Sequence, residues 1–341
     1  MSSNKSGLCS ICCLGYNHAK FLTANIEAIW KGDYKHVEII ALDDGSKDNS
    51  VELLNGLAKK SPCPMTVVAQ DNSGNIGRNF NTAAQRAGGE YVTFIALDDV
   101  LYPDALSRQI KLLEADHSLA FVASSKITGL DEQGRVADLV QPLKLDSLAN
   151  PTDDDLLNLE YAYFETFYIQ GTVFRKSVID AVGGFDEDMS GDDIVLRTKV
   201  FLYLKANPEY SFKILEDPTC YYRIHGSNVH KNTVRQVQIV SEYLDKYWPD
   251  ADLPETLIAW AVYGIKYVDF SQYIKMFTFN PTAAKMLLEA KIQNAIKQSV
   301  IESRKTWWKV FYEKKKFPDG KREIILLSCL KFPYSKKSRA R

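Results

Sequence analysis

The sequence lacks several features that would each assign a protein class at once. None of its hydrophobic runs reaches the roughly 18 to 20 residues that a membrane-spanning helix needs. Its six cysteines are too few and too irregularly spaced for the disulfide framework of a small secreted domain. The first residues, MSSNKSG, do not have a signal-peptide pattern. We therefore expect a cytoplasmic protein that is soluble or lies at the inner face of the cell membrane.

Excess positive charge is also lacking. The formal net charge is −1 over 341 residues, which argues against a nucleic-acid partner because a nucleic-acid-binding surface needs a basic excess. One C-x-x-C pattern occurs, at Cys9 and Cys12, but it lies in an apolar run and no second pair completes a zinc site. We predict small buried side chains on a strand rather than a metal centre.

The charge is unevenly distributed along the chain. Residues 301–341 contain 13 Lys and Arg against 4 Asp and Glu, so this tail carries +9 and the other 300 residues carry −10. The tail also contains Trp307, Trp308 and the aliphatic run Ile324–Leu327. Such a mixture is typical of a segment that lies on anionic lipid, which predicts peripheral membrane contact through 301–341. A helix packed on the rest of the protein with a solvated basic face explains it equally well.

Short apolar runs alternate with helix-like segments between Leu8 and Asp99, in the order βαβαβαβ. This alternation predicts an α/β protein with a mostly parallel twisted sheet flanked by helices. Ligands bind at the carboxyl ends of the strands in such sheets. Two of the apolar runs end directly in paired aspartates, Asp43–Asp44 and Asp98–Asp99. We expect these acids at the ligand-binding edge.

The rest of the chain divides less clearly. Gln141–Asp155 has no periodicity and is rich in Asp, Pro and Asn, which favours a mobile loop near the site. From Asn232 the pattern is helical to about Tyr312. We predict an α/β domain over 1–235, with halves at about 1–100 and 101–235, followed by a helical, basic region at 236–341.

The acid pairs suggest metal and base chemistry. Two adjacent buried carboxylates repel each other, which raises a pKa or recruits a cation, and oxygen ligands select Mg²⁺ or Mn²⁺. Asp98 and Asp99 are therefore candidate metal ligands. Asp43 and Asp44 can accept hydrogen bonds from a base or ribose, although helix capping also explains them.

A third acid pair, Asp192–Asp193, precedes a helical pattern. The helix dipole stabilises an acid at this position as the anion, which suits a general base. Capping explains one of the two aspartates and leaves the other without a role. Further along, Arg223 and His225 bring a cation and an imidazole together, which suit a diphosphate and a metal respectively.

Together these residues resemble the family 2 glycosyltransferases, which have the GT-A nucleotide-sugar-binding fold and generally invert the anomeric centre. The resemblance runs from about Leu8 to Ser227, roughly two thirds of the chain. Each motif is weak alone, but their order and spacing are specific. The motifs are Cys13–Asn17 (CLGYN), Leu42–Ser46 (LDDGS), Asn72–Asn79 (NSGNIGRN), Ala87–Asp99 (AGGEYVTFIALDD), Gly183–Glu187 (GGFDE) and Tyr222–His225 (YRIH).

The resemblance implies a role for each matching residue. Asp44 would contact the base, most often uracil, and Asp193, or else Asp192, would deprotonate an acceptor hydroxyl. The candidate nucleotide-binding residues are Asn17, Asp43, Asp44, Arg78, Asp98 and Arg223, and the candidate metal ligands are Asp98, Asp99 and His225. The implied partners are a nucleotide-sugar donor, which in this family is most often a UDP-sugar, and a glycan or lipid-linked glycan acceptor. The implied setting is bacterial surface polysaccharide synthesis.

One position departs from the family pattern. The family often has Asp-x-Asp-Asp, and the first position here is Ala96. Loss of that carboxylate favours an alternative, a non-catalytic scaffold that keeps the fold and binds a partner through its tail. A sugar-nucleotide pyrophosphorylase would share the α/β layout, but no Gly-rich basic loop follows the first strand.

Overall fold

The computed structural model describes residues 5–137, 143–226, 232–316, 322–326 and 330–333, with side chains described up to residue 302. The strands are β1 (Lys5–Gly15), β2 (Val37–Asp43), β3 (Met65–Ala69), β4 (Gly89–Ala96), β5 (Val100–Leu101), β6 (Leu119–Ser124), β7 (Thr128–Leu130), β8 (Val173–Arg175), β9 (Ser211–Leu215), β10 (Cys220–Arg223), β11 (Tyr312–Lys316), β12 (Arg322–Leu326) and β13 (Leu330–Pro333). The helices are α1 (Ala19–Lys31), α2 (Ser50–Ala58), α3 (Ile76–Ala84), α4 (Ala105–Ala115), α5 (Asp153–Tyr163), α6 (Lys176–Ala181), α7 (Asp193–Ala206), α8 (Thr233–Tyr247), α9 (Glu255–Gly264), α10 (Phe270–Lys275), α11 (Pro281–Lys285) and α12 (Ala290–Phe311).

A seven-stranded sheet organises the first two thirds of the chain. Its order is β3-β2-β1-β4-β8-β6-β9. Strands β1 to β4 are mutually parallel, whereas β8 runs antiparallel to both β4 and β6. This architecture confirms the predicted mostly parallel sheet flanked by helices. The chain order reverses direction between β1 and β4, and in open α/β sheets ligands bind beside such a point.

Both faces of the sheet are covered because successive side chains of a strand point to opposite sides. Along β1, Cys9, Ile11 and Cys13 pack in one core and Cys12 packs in the core on the other face. Burial raises the pKa of the Cys9 and Cys12 thiols, so neither is a reactive thiolate. The cysteines within the described ranges are free, as predicted for small buried side chains.

The segment interpreted as a mobile loop is largely ordered helix. Residues 144–147 form a 3-10 helix, and α5 begins at Asp153 with a capping box between Thr152 and Asp155. The acids that suggested a loop occupy the first turn of α5, where the helix dipole stabilises them. Leu145 is buried in the core. The loop interpretation is wrong for 144–147 and 153–155, whereas 148–152 form the connection between these helices, and Gln141 and its neighbour at 142 lie outside the described residues.

The C-terminal helices pack directly on the α/β unit. Helices α8 to α12 were predicted, but the small sheet β11-β12-β13 that follows them was not. A third core joins Met189, Ile194 and Val195 to apolar residues of α8, α9 and α10. This core therefore crosses the predicted boundary at 235.

The tail was predicted either to lie on lipid or to pack on the protein. Trp307 and Trp308 belong to α12, and the side chains beyond 302 lie outside the described residues, so this choice stays a prediction. Among the helices that the structure describes, none is long and apolar enough to cross a bilayer.

Candidate functional site

The candidate site lies at the carboxyl ends of β1, β2 and β4. Gly15 pairs with Asp43, and Leu14 pairs with Ala96, so the three strands end side by side. The loops that follow them carry the first two acid pairs. Strand β10 of a second, three-stranded sheet brings Arg223 and His225 to the same edge.

The two members of the Asp43–Asp44 pair differ in their contacts: Asp43 holds the loop, and Asp44 keeps one carboxylate oxygen that can accept a further hydrogen bond. Asp43 accepts hydrogen bonds from the Ser46 amide (2.8 Å) and hydroxyl (2.6 Å), which hold the turn after β2, whereas the N-cap position of α2 is Asn49. Asp44 Oδ1 accepts the Ser73 amide (2.8 Å) and Gln70 Nε2 (3.0 Å). Its Oδ2 accepts no hydrogen bond from the described part of the chain, which leaves a fixed acceptor for an N–H group.

Asn17 connects the loops that follow β1 and β2. Its backbone has a positive φ of 56°, a conformation that asparagine tolerates better than most residues. Its amide donates to Ser46 Oγ (2.7 Å), and its Oδ1 accepts the Lys47 amide (2.7 Å). The geometry thus gives Asn17 a bracing function beside Asp44.

Asp98 lies between two histidines. His225 Nε2 is 2.8 Å from Asp98 Oδ2, and His18 Nδ1 is 3.7 Å from Asp98 Oδ1. Both atoms of the longer pair are buried and have no hydrogen-bond partner among the described residues. Burial lowers the pKa of His18, so this ring is neutral at pH 7.

Asp99 is almost fully buried. Its Oδ1 accepts the Arg223 amide (2.9 Å), and its carbonyl accepts Asn25 Nδ2 (2.7 Å). Burial and the neighbouring Asp98 raise the pKa of Asp99. The expected repulsion within the pair is therefore present, but the carboxylate that faces an open position belongs to Asp98.

Arg223 differs from the expectation of a diphosphate ligand. It is 3% exposed, its Nε donates to the Asp98 carbonyl (2.8 Å), and its guanidinium lies over the Phe21 ring. A second donor, Nη1, reaches the Asp131 carbonyl (3.1 Å). The sequence identified Arg223 as a cation near His225 but did not show that its side chain is buried. In the structure, its contacts hold the Asp98–Asp99 segment in place.

The donor set fits a divalent cation that a substrate helps to hold. No three His, Cys, Asp or Glu side chains among the described residues converge as a complete metal centre. Mg²⁺-type ions are commonly held by one or two carboxylates together with substrate phosphates. The unpaired buried Oδ1 of Asp98 is the oxygen that such an ion requires.

The third acid pair begins α7. Asp192 is the N-cap and Asp193 the first helical residue. Burial, followed by the charge of Asp192, raises the pKa of Asp193 to about 8, and burial also raises the pKa of Asp192. The helix-dipole argument predicted the anion and was wrong in direction, because burial and a like charge outweigh the dipole. The charge of Asp193 also raises the pKa of Asp99, so the second and third acid pairs lie near each other.

A buried ion pair supports the start of α7. Arg197 lies 3.6 Å from Asp193 Oδ2 and forms a two-point contact with Glu160 of α5, whose Oε2 accepts Nη2 at 3.2 Å. Arg197 also donates to the Phe167 carbonyl (2.8 Å). Glu160 is fully buried and Arg197 nearly so. The sequence analysis missed Glu160 and Arg197, because charged residues in a helix are usually on its exposed surface.

Among the described contacts of Arg78, none is with the three acid pairs. It is in the first turn of α3, about half exposed, with Nε 3.3 Å from Glu187 Oε2. His18 and Asn25 are the other functional residues that the sequence analysis missed. The signal for His18 was its position directly after Asn17, in the turn between β1 and α1.

A mostly parallel sheet with acid pairs after its second and fourth strands, and a third acid pair at the start of α7, is typical of the GT-A nucleotide-sugar-binding class. Residues 10–180, half of the chain, match the profile of Glycosyl transferase family 2. The chain belongs to this family, which confirms the resemblance.

Known proteins agree with this assignment. An uncharacterized glycosyltransferase of Nostoc sp. is 27% identical over 65% of this chain and 66% of its own length. Two other curated relatives are matched over only 34% and 40% of their length, so the chain spans two thirds of its relatives or less.

Two solved structures share the fold. Staphylococcus aureus TarS 1-349 in complex with UDP-GlcNAc has a TM-score of 0.55 and 18% identity, over 96% of this chain and 99% of that one. The mannosyltransferase PcManGT from Pyrobaculum calidifontis, in complex with GDP-Man and Mn²⁺, has a TM-score of 0.53 and 17% identity, over 86% and 87%. At these identities the likeness shows the fold alone.

Proposed function

We propose that the protein is an inverting, metal-dependent hexosyltransferase that moves a sugar from a UDP-sugar to a hydroxyl group of a glycan or lipid-linked glycan. The observation that carries this proposal is the set of acids near Asp99: Asp98 has a buried carboxylate oxygen without a hydrogen-bond partner among the described residues, and Asp193 has a half-buried carboxyl of raised pKa. The setting that we propose is bacterial surface polysaccharide synthesis at the inner face of the cell membrane.

In this proposal, the donor binds beside Asp44 and Asp98, and the acceptor binds beside Asp193. On the donor side, Asp44 Oδ2 accepts an N–H of the base, and Asp98 with His225 holds the cation and the diphosphate. A bound cation neutralises charge on the leaving diphosphate. On the acceptor side, Asp193 takes the proton as the acceptor oxygen bonds to the anomeric carbon and the bond to the diphosphate breaks. Attack from the face opposite the leaving group inverts the centre.

Contacts of the other candidates suggest supporting roles. Asn17 and Asp43 fix the loop that presents Asp44, while Asp99 and Arg223 fix the segment that presents Asp98. Asp192 is the alternative base. These assignments predict that Asp98, rather than Asp99, provides the first protein oxygen to the ion.

Turnover of a nucleotide-sugar panel tests the function. The panel holds UDP- and GDP-sugars, including UDP-GlcNAc and GDP-Man, with Mn²⁺ or Mg²⁺ and with or without EDTA. Release of nucleoside diphosphate from one donor, lost with EDTA and in Asp98→Ala, is the expected result. A chain that neither binds nor turns over any donor would instead support the scaffold alternative, for which Ala96 is the specific observation.

Gly45 gives a further test of the donor side. Its φ is +76°, and an added Cβ would lie 2.5 Å from the Asn72 amide nitrogen. Gly45→Ala should therefore displace the loop that presents Asp44, at a strain of about 1 to 3 kcal/mol, and weaken UDP binding about tenfold or more.

Calorimetric titration with UDP measures this effect. The matched control is Gly56→Ala in α2, where an added Cβ meets nothing within 4 Å. That variant should bind UDP normally and gain about 0.5 to 1 kcal/mol of stability. Equal UDP affinity of the Gly45 and Gly56 variants would show that Asp44 does not contribute to UDP binding.

A further inference from the structure

Two buried polar atoms face each other without bonding. His18 Nδ1 and Asp98 Oδ1 lie 3.7 Å apart, and neither has a hydrogen-bond partner in the part of the chain that the structure describes. Leaving a buried polar group unsatisfied costs about 1 to 3 kcal/mol, and folded proteins rarely tolerate it without a functional reason. Something outside the chain is expected between them.

The spacing suits a metal ion better than a hydrogen bond. A separation of 3.7 Å is too long for a hydrogen bond between nitrogen and oxygen. Two ligand atoms, each about 2.1 Å from one octahedral ion, are about 3 Å apart when adjacent and about 4.2 Å apart when opposite. The observed distance falls between these limits, so an ion can contact both atoms after a small adjustment.

Neighbouring groups hold the two atoms in this orientation. Asp98 Oδ2 is engaged by His225, which turns Oδ1 towards His18. The His18 ring packs edge-on against the Phe21 and His225 rings, with 6.3 Å between centroids in each case. His18 also precedes the first residue of α1, so its backbone is fixed by the helix. The pair is therefore prearranged rather than a chance approach of two mobile side chains.

We propose that His18 is a ligand, through Nδ1, of the divalent cation that Asp98 holds at the donor diphosphate. This inference rests on the proposed function, and it gives His18 a role separate from those of the acid pairs and of His225. Imidazole is a softer ligand than carboxylate and suits Mn²⁺ better than Mg²⁺. The site should therefore prefer Mn²⁺.

Direct metal binding tests the proposal without reliance on catalysis. Free Mn²⁺ is titrated by electron paramagnetic resonance with UDP present, for the wild type, His18→Ala and the exposed control His117→Ala. His18→Ala should raise the Mn²⁺ dissociation constant about tenfold or more and reduce the preference for Mn²⁺ over Mg²⁺, whereas His117→Ala should match the wild type. The nitrogen modulation of the Mn²⁺ spin echo should also decrease in His18→Ala.

Unchanged Mn²⁺ affinity and nitrogen modulation in a folded His18→Ala would overturn the assignment. If the alanine variant does not fold, His18→Gln, which keeps most of the side-chain volume, takes its place in the same comparison. Donor turnover that persists in EDTA would refute the cation site and leave the glycosyltransferase function intact. A wild type that binds Mn²⁺ with UDP but turns over no donor would count against the function alone.

Discussion

Asp193→Asn should lower kcat for glycosyl transfer by a factor of about 10³ and leave donor binding unchanged. Asparagine keeps the shape of the side chain and its place at the start of α7, but its amide cannot accept the proton of the acceptor hydroxyl. Donor binding depends on Asp44 and Asp98, on the other side of the cleft. Initial rates at saturating acceptor, together with calorimetric titration of UDP, separate the two effects.

The pH dependence gives this prediction a second readout. Because burial and Asp192 raise the pKa of Asp193 to about 8, the carboxyl is mostly protonated below that pH and is not a base. The wild-type rate should rise with pH and level off above about 8, and Asp193→Asn should lack this rise. Asp192→Asn is the matched control, because it removes the neighbouring charge and should move the rise to lower pH.

The opposite result would exchange the two aspartates. A loss of about 10³ in Asp192→Asn, with a nearly active Asp193→Asn that keeps the pH rise, would make Asp192 the base. The proposed function would stand in that case, and the acceptor would approach from the N-cap side of α7.

Arg197→Met should lower the free energy of unfolding by about 3 to 5 kcal/mol. The substitution removes a partner that touches both Glu160 and Asp193, and it leaves the Glu160 carboxylate fully buried without this cation. Methionine keeps much of the volume, so the loss measures the uncompensated charge rather than a cavity. Urea denaturation followed by circular dichroism measures the change.

The same two helices provide the control. Lys205 of α7 also pairs with an acid of α5, Asp154, at 2.7 Å, but both side chains are more than half exposed. Lys205→Met should therefore cost less than about 1 kcal/mol. Similar losses for Lys205→Met and Arg197→Met would show that the buried pair is solvated in solution and does not support α7.

Much of the donor side could be predicted from the sequence because its determinants are local. Strand and helix periodicity placed β1 to β4, and each strand end identified its acid pair directly. Asp44 and Asp98 were therefore found, and the family motifs confirmed their order. His18 was missed because its significance depends on a distance to Asp98, which lies 80 residues further along the chain.

The acceptor side was harder for the same physical reason. The motif placed Asp192 and Asp193 at a helix start, but the protonation of Asp193 depends on burial, on the charge of Asp192, and on the contacts that packing brings with Arg197 one turn along α7 and Glu160 of α5. The acids at 153–155 were taken for a loop because composition alone does not reveal a capping box. Arg223 was predicted at the diphosphate because a cation in a motif does not show which way its side chain turns.

The third core, which joins Ile194 and Val195 to α8 and α9, has a consequence for how such enzymes diversify. Asp193, the proposed base, directly precedes these two residues, so its placement depends on the C-terminal helices, whereas the proposed donor residues depend on β1, β2 and β4. Substitutions in α8 or α9 can then shift the base and the acceptor site together while the donor site stays constant. A lineage could exchange its acceptor through changes far from the nucleotide, and donor and acceptor preferences could evolve separately.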